Sequence, residues 1–135
     1  MSTNQLIIEH VSPFNVPITV EKLIEAAKEK GWQNPATHNL QQSLAKSGKE
    51  VLPVEVVEIC KPEYSGSMLE KNDERIVSVL MPCRISVYEK DDGNAYVALL
   101  NMTGMSAGLP QTITDAIRSA SDESFEIVKS VVGPF

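Results

Sequence analysis

The chain has 135 residues, of which 42% are hydrophobic and 22% charged, the composition of one ordinary globular domain spanning residues 1–135. Twelve basic residues against eighteen acidic residues give a formal net charge of −6, which argues against binding to nucleic acid or to an anionic membrane surface. No apolar run approaches the roughly 18 residues that a membrane helix needs, and no signal-peptide pattern opens the chain, so we expect a cytoplasmic protein.

The first third of the chain predicts a strand followed by an amphipathic helix. Residues 5–11 have strand character, and a turn-rich run covers residues 12–17. Thr19 is a predicted N-cap for a helix that runs to Lys30, and Gly31 ends it. The apolar stripe of this helix is formed by Val20, Leu23, Ile24 and Ala27.

The middle of the chain predicts short elements. Residues 32–39 are ambiguous because Asn34-Pro35 interrupts them, and residues 40–47 indicate a short helix. Residues 54–60 are rich in β-branched side chains and predict a strand. Pro62 then suits the first turn of a helix over residues 63–70.

Residues 76–89 carry the clearest β pattern, because every odd position is apolar and the even positions are mixed. The predicted apolar face consists of Val77, Val79, Met81, Cys83, Ile85 and Val87. Pro82 cannot donate a ladder hydrogen bond, so an edge, a bulge or a break is expected there. Leu80 and Tyr88 lie on the opposite face, and we expect another surface to cover these large side chains.

Asp91-Asp92-Gly93-Asn94 predicts a hairpin turn, with residues 95–102 as the returning strand. If Asp92-Gly93 is the loop, the numbers of opposite residues sum to about 185. Arg84 would then face Asn101 as a polar cross-strand pair, and Cys83 would face Met102.

The C-terminal part predicts a connection at residues 104–108 and two helices, the second capped by Ser121. Their apolar stripes are Ile113, Ala116, Ile117 and Ala120, then Phe125, Val128 and Val132. Because strands and helices do not alternate as βαβ units, the predicted class is α+β: a single domain with a mainly antiparallel sheet and helices packed on one face.

Residues 54–62 read Val-Glu-Val-Val-Glu-Ile-Cys-Lys-Pro, and residues 79–89 read Val-Leu-Met-Pro-Cys-Arg-Ile-Ser-Val-Tyr-Glu. Both resemble the prokaryotic family called domain of unknown function 302, and the likeness covers roughly residues 20–105. The resemblance implies a compact, often dimeric α+β fold similar to the TATA-binding-protein-like arrangement, and no established reaction. Where members often carry acidic residues, this chain has Thr37 before His38, and Asn101 before Met102, so an acidic site does not carry over.

Two thiols, Cys60 and Cys83, form the main candidate site, and both match the family's motif positions. Cys60 would lie beside the positive end of a helix and beside Lys61, which favours a reactive thiolate. Cys83 would lie on the apolar strand face, from which it could approach Cys60. The simpler alternative is that both are small buried hydrophobic residues.

A wider set of candidate ligands surrounds the thiols. His38 could join Cys60 and Cys83 around a soft metal such as zinc, although no metal-binding motif with recognised spacing is present. Arg84 beside Asn101 could orient a small anion, and Met102 with the other methionines could add a sulfur-rich wall.

Two functions remain open from the sequence. The first is a homodimeric module that binds a small apolar, thiol or soft-metal ligand at Cys60 and Cys83 without turnover. The second is a thiol-based redox or sulfur-handling protein in which Cys60 attacks and Cys83 resolves. The position of Cys60 at a helix start favours the second function, and the absence of a Cys-x-x-Cys motif favours the first.

Overall fold

The computed structural model describes residues 6–102 and 108–134, so the predicted connection at residues 104–108 lies largely outside the described residues. The strands are β1 (Ile7–Ser12), β2 (Thr37–Asn39), β3 (Val54–Ile59), β4 (Cys83–Glu89) and β5 (Ala95–Leu100). The helices are α1 (Val16–Glu29), α2 (Leu40–Ala45), α3 (Pro62–Leu69) and α4 (Gln111–Val132), with a 3₁₀ helix over Asp73–Leu80. Among the described residues, no helix combines the length and apolarity needed to cross a bilayer.

The strands form one antiparallel sheet in the order β1-β5-β4-β3-β2, and α1 and α4 pack against one of its faces. Alternate residues of the central strands enter the core from the sheet side, and the largest of them are fully buried: Val57, Ile59, Ile85, Val87 and Val97. Leu23 of α1 and Ile127 of α4 meet them from the helix side. The predicted α+β class is therefore confirmed.

Helix α1 begins four residues earlier than predicted, because Asn15 is its N-cap. The Asn15 side chain accepts a hydrogen bond from the Ile18 N–H, as a capping amide does. The predicted cap, Thr19, lies inside the helix, where its buried hydroxyl bonds Ser12 Oγ. Gly31 follows the helix with φ +82°, a conformation that glycine adopts readily.

The predicted strand over residues 76–89 is only half correct. Cys83, Ile85 and Val87 do face the core, but residues 73–80 form the 3₁₀ helix, and β4 begins only after Pro82. Val79 is 83% exposed, and Val77 is buried through the 3₁₀ helix and not through a strand face. Leu80 likewise lies in the 3₁₀ helix and does not line the sheet.

The hairpin register is shifted by one residue from the prediction. Lys90 N–H donates to Asn94 O, which leaves Asp91, Asp92 and Gly93 in a three-residue loop. Gly93 has φ +82°, as the third position of such loops requires. Tyr88 therefore faces Tyr96, and the predicted pairs of Arg84 with Asn101 and of Cys83 with Met102 are wrong.

The C-terminal residues form one helix, α4, where two were predicted. Ser121 is not a cap, because its side chain is buried in the middle of α4. The buried stripe continues through this point when small serines are counted with the apolar residues: Ile113, Ile117, Ala120, Ser121, Ser124, Ile127, Val128 and Val132.

The opposite side of the sheet, here called the outer face, carries the other alternate residues of each strand. Exposed apolar side chains on it include Ile7, Val11 and Leu100. Tyr88 also lies on this face, where its hydroxyl donates to Glu9 and its ring stacks on Tyr96. The outer face is thus partly apolar and partly charged.

Candidate functional site

The pairing of β3 with β4 brings the two thiols to the same end of the sheet. Ile59 pairs with Cys83, and Cys60 follows directly after Ile59. Cys60 also forms an isolated bridge with Gln33, which follows α1 and Trp32. Both cysteines are half-buried and free.

Both thiols line one pocket of about 380 Å³, called here the thiol pocket. Its wall is mostly apolar and comes from the end of α1, the β3 and β4 ends, α3, the 3₁₀ helix and α4. The lining residues are Trp32, Pro35, Ile59, Cys60, Lys61, Tyr64, Ser65, Met68, Leu69, Ser78, Met81, Pro82, Cys83 and Ala120. A concave apolar site of this size suits a small organic molecule.

The Cys83 thiol is a weak nucleophile. Burial raises the pKa of Cys83, and the neighbouring Cys60 raises it further, while a hydrogen bond with Ser124 opposes the shift. Cys83 therefore stays protonated at neutral pH and contributes an apolar, polarisable surface to the pocket.

Cys60 lies just before α3, as predicted, with Ser65 Oγ 3.5 Å from its Sγ. The predicted cation beside it, Lys61, is engaged elsewhere, because its Nζ lies 2.9 Å from Glu123 Oε1. The Lys61 ammonium is thus paired with a carboxylate and not with the Cys60 thiol.

Glu123 of α4 collects three donors from the pocket wall. It accepts hydrogen bonds from Trp32 Nε1 at 2.9 Å, from Lys61 Nζ at 2.9 Å and from the Tyr64 hydroxyl. Burial raises the pKa of Glu123, but the bonds from Tyr64, Lys61 and Trp32 outweigh it, so the pKa is lowered overall. The hydrogen bond with Glu123 raises the pKa of Tyr64 to about 12. Glu123 therefore fixes the aromatic side of the thiol pocket.

A second cavity of about 220 Å³ adjoins the thiol pocket and shares Met81, Pro82 and Cys83 with it. Its other lining residues are Val79, Leu80, Arg84, Leu99, Leu100, Met102, Ser121 and Ser124. Ser121 is 3% exposed, and its hydroxyl has no hydrogen-bond partner among the described residues. Two predicted site residues, Arg84 and Met102, thus lie near Cys83 but in this second cavity.

His38 lies apart from the thiols, and Asn101 lines neither cavity. His38 is on β2 at the edge of the sheet, and its Nε2 lies 3.0 Å from Glu58 Oε2. Asn101 follows β5, and its N–H donates to the Leu6 carbonyl. Within residues 6–102 and 108–134, no group of three His, Cys, Asp or Glu side chains could hold a metal ion. The structure therefore does not assemble the predicted ligand set of Cys60, Cys83 and His38.

Sequence reasoning missed Trp32 and Tyr64 as pocket residues, and Glu123 as the residue that holds them in place. Glu123 is 91 residues from Trp32 and 59 from Tyr64 along the chain, so no local pattern joins them. The one available signal was that Trp32 is the single tryptophan and follows a helix-ending glycine. The prediction that methionines gather near the cysteines holds for Met68 and Met81.

Comparison with known proteins gives a family match and a structural match. The family model described as "Domain of unknown function DUF302" matches residues 8–129. The chain is similar in fold to the crystal structure of an uncharacterized conserved protein DUF302 from Bacillus stearothermophilus, with a TM-score of 0.83 and 16% sequence identity. The alignment covers 94% of this chain and 98% of that one. No curated protein matches the sequence.

Proposed function

The chain belongs to the DUF302 family, a family of unknown function, and we propose that it binds a small apolar ligand in the thiol pocket without chemical turnover. The observation that carries this proposal is the convergence of two aromatic rings and the sulfur atoms of Cys60, Cys83 and methionines on one apolar cavity. We expect the protein to work in the cytoplasm, where both thiols stay reduced.

Three features of the pocket support binding over catalysis. Its volume of about 380 Å³ falls within the range of small-molecule sites. One of its two thiols, Cys83, is held protonated by its raised pKa and is a weak nucleophile. The Trp32 and Tyr64 rings, with centroids 6.0 Å apart, are fixed by Glu123 and present a preformed wall.

Titration with toluene, followed by ¹H–¹⁵N NMR of the reduced protein, tests the proposal. Trp32 is the single tryptophan, so its indole N–H gives one assignable signal inside the thiol pocket. We expect saturable shifts of this signal and of the Cys60 and Met68 amides, because these residues share the wall.

A matched pair of variants on α3 controls for nonspecific binding. Ser65→Leu places a bulky side chain into the pocket and should weaken toluene binding at least about tenfold, since it occupies the apolar volume. Ser67→Leu makes the same change at an exposed position outside the lining and should leave binding unchanged. The absence of saturable shifts in the wild-type protein, or equal binding by Ser65→Leu, would overturn the proposal.

The alternative function is a thiol redox role, favoured by the placement of Cys60 and Cys83 in one pocket. Diamide oxidation followed by intact-mass measurement separates the two functions. A redox pair should form an intramolecular disulfide that dithiothreitol reverses and that Cys60→Ser abolishes. An unchanged mass under diamide, with toluene binding intact, supports the ligand-binding function alone.

We also propose that the functional unit is a homodimer in which a second copy covers the outer face. The apolar side chains of Ile7, Val11 and Leu100 are exposed there, and the helices α1 and α4 occupy the other face. Carboxylates and cations lie on the same outer face, including Glu9 and Lys90, so the surface can complement a rotated copy of itself. A sedimentation mass near 14.8 kDa at high micromolar concentration would contradict the dimer.

A further inference from the structure

The second cavity is lined by a buried hydroxyl, that of Ser121. The Ser121 hydroxyl is buried and has no partner within the described part of the chain, although it lines the cavity. Ser124, one turn later on α4, satisfies its own hydroxyl by donating to the Ala120 carbonyl. A buried hydroxyl without a partner is unfavourable, so Ser121 is poised to bond a group that enters the cavity.

The same cavity includes a cation that is not neutralised. Arg84 is exposed and makes no ion pair with the residues that the structure describes. The acidic residue opposite it in the strand pairing is Glu58, whose carboxylate lies against His38 instead. An anion at this rim would therefore meet a guanidinium with free donors.

The remaining lining limits the charge that the cavity can accept. Most of its other residues are apolar, among them Val79, Leu99 and Met102. One exposed cation and one buried hydroxyl suit a single negative charge better than a doubly charged phosphate, because each further charge would be desolvated without a partner. A carboxylate has the matching charge, and its oxygens can accept from a guanidinium and from a hydroxyl.

The second cavity and the thiol pocket share Met81, Pro82 and Cys83, so they adjoin at this segment. We propose that the second cavity binds the carboxylate of the ligand whose apolar part occupies the thiol pocket, which makes the ligand class a small amphipathic monocarboxylate. This inference rests on the proposed function. Cys83 then lies at the junction between the two halves of the ligand.

Octanoate and toluene, titrated separately and followed by NMR, test this ligand class. Octanoate should shift the Trp32 indole signal and the amides of residues that line the second cavity, whereas toluene should shift only signals of the thiol pocket. Ser121→Ala and Arg84→Gln should each raise the octanoate Kd about tenfold, because each removes a donor to the carboxylate. Neither variant should change the toluene Kd.

Matched controls lie on the exposed side of α4. Ser119→Ala and Arg118→Gln change exposed residues outside both cavities and should leave octanoate binding as it is. Toluene binding together with octanoate affinity that neither Ser121→Ala nor Arg84→Gln alters would overturn the carboxylate site and leave the thiol pocket standing. Absence of toluene binding would overturn the proposed function and this inference with it.

Discussion

Replacing Glu123 by glutamine should loosen the aromatic wall of the thiol pocket and lower the stability of the whole domain. The carboxylate accepts from Trp32, Lys61 and Tyr64, which come from three different parts of the chain. Glutamine keeps the size of the side chain but has one accepting oxygen and no charge. At least one donor, and the ion pair with Lys61, must therefore be lost.

The magnitude follows from the exposure of the groups. Side chains of Lys61 and Glu123 are 15% and 22% exposed, so their pair is shielded more than a surface pair but is not fully buried. A hydrogen bond to a charged group contributes about 1.5–3 kcal/mol when protected, and surface pairs contribute about 0–1 kcal/mol. We expect Glu123→Gln to reduce the free energy of unfolding by about 1–2 kcal/mol.

The loss should depend on pH in a defined direction. The pKa of Glu123 is lowered by folding, so its contribution is complete above the ordinary value of 4.5 and disappears as the pH falls below it. The pKa of Tyr64 is raised from 10.0 to about 12, so the contribution of its protonated hydroxyl is complete below pH 10 and is lost as the pH rises towards 12. The difference between wild type and Glu123→Gln should be largest between these limits.

Urea unfolding, followed by far-ultraviolet circular dichroism and by the fluorescence of Trp32, measures the difference at several pH values. Glu126→Gln is the matched control, because Glu126 lies on the same helix and pairs with Lys30 at the surface. The side chains of Lys30 and Glu126 are 38% and 62% exposed, respectively. This control should change stability by no more than about 0.5 kcal/mol. Equal effects of Glu123→Gln and Glu126→Gln at neutral pH would refute the reasoning.

Three further changes test the core and the cavities by the same urea assay. Cys83→Ser should lower the free energy of unfolding by about 1–2 kcal/mol, because it places a hydroxyl in an apolar wall. Cys60→Ser should change it by less than about 0.5 kcal/mol, because Ser65 Oγ is near enough to bond the new hydroxyl. Equal effects of the two substitutions would contradict this difference between the sites. Ile85→Ala should lower the free energy of unfolding by about 3 kcal/mol. Val79→Ala changes a side chain that is 83% exposed and should have almost no effect on stability. A large effect at Val79 would contradict its place in the 3₁₀ helix. Ser121→Ala should raise stability by about 1 kcal/mol, since it removes an unpartnered hydroxyl; a loss would contradict its lack of a partner.

Local patterns were sufficient to predict the sheet where one face is buried. The odd positions Cys83, Ile85 and Val87 enter the core as their alternation indicates, and the helix with the stripe of Leu23 and Ala27 lies against them. The period of two or of 3.6 residues is imposed by burial on one side, and burial on one side leaves the same period in the sequence.

The alternation failed where a short break separates two elements. Residues 76–81 continue the apolar spacing of β4, but Pro82 has no N–H for a ladder, and residues 73–80 wind into a 3₁₀ helix instead. Val79 then faces away from the core. The predicted hairpin register was wrong because Asp91 belongs to the loop, which has three residues and not two. The sequence alone does not determine how many residues a loop contains.

The candidate site was predictable only in part. The thiols could be placed at neighbouring strand ends because each adjoins a proline, Pro62 or Pro82. The contacts of Glu123 with Trp32 and of Ser121 with the second cavity depend on the packing of α4, which joins positions far apart in the chain. Spacing patterns carry no information about such contacts.

The chemistry of Cys83 connects these observations to the choice between binding and redox function. Its thiol lies where the thiol pocket and the second cavity meet, and burial raises its pKa. If Cys83 were a redox partner of Cys60, the disulfide would place a rigid link in the thiol pocket and reduce the volume available to a ligand. A protonated Cys83 leaves the junction open and adds a polarisable contact. The same burial that makes Cys83 a poor nucleophile therefore makes it a suitable wall for an amphipathic ligand, and this is the physical reason for preferring binding over thiol chemistry.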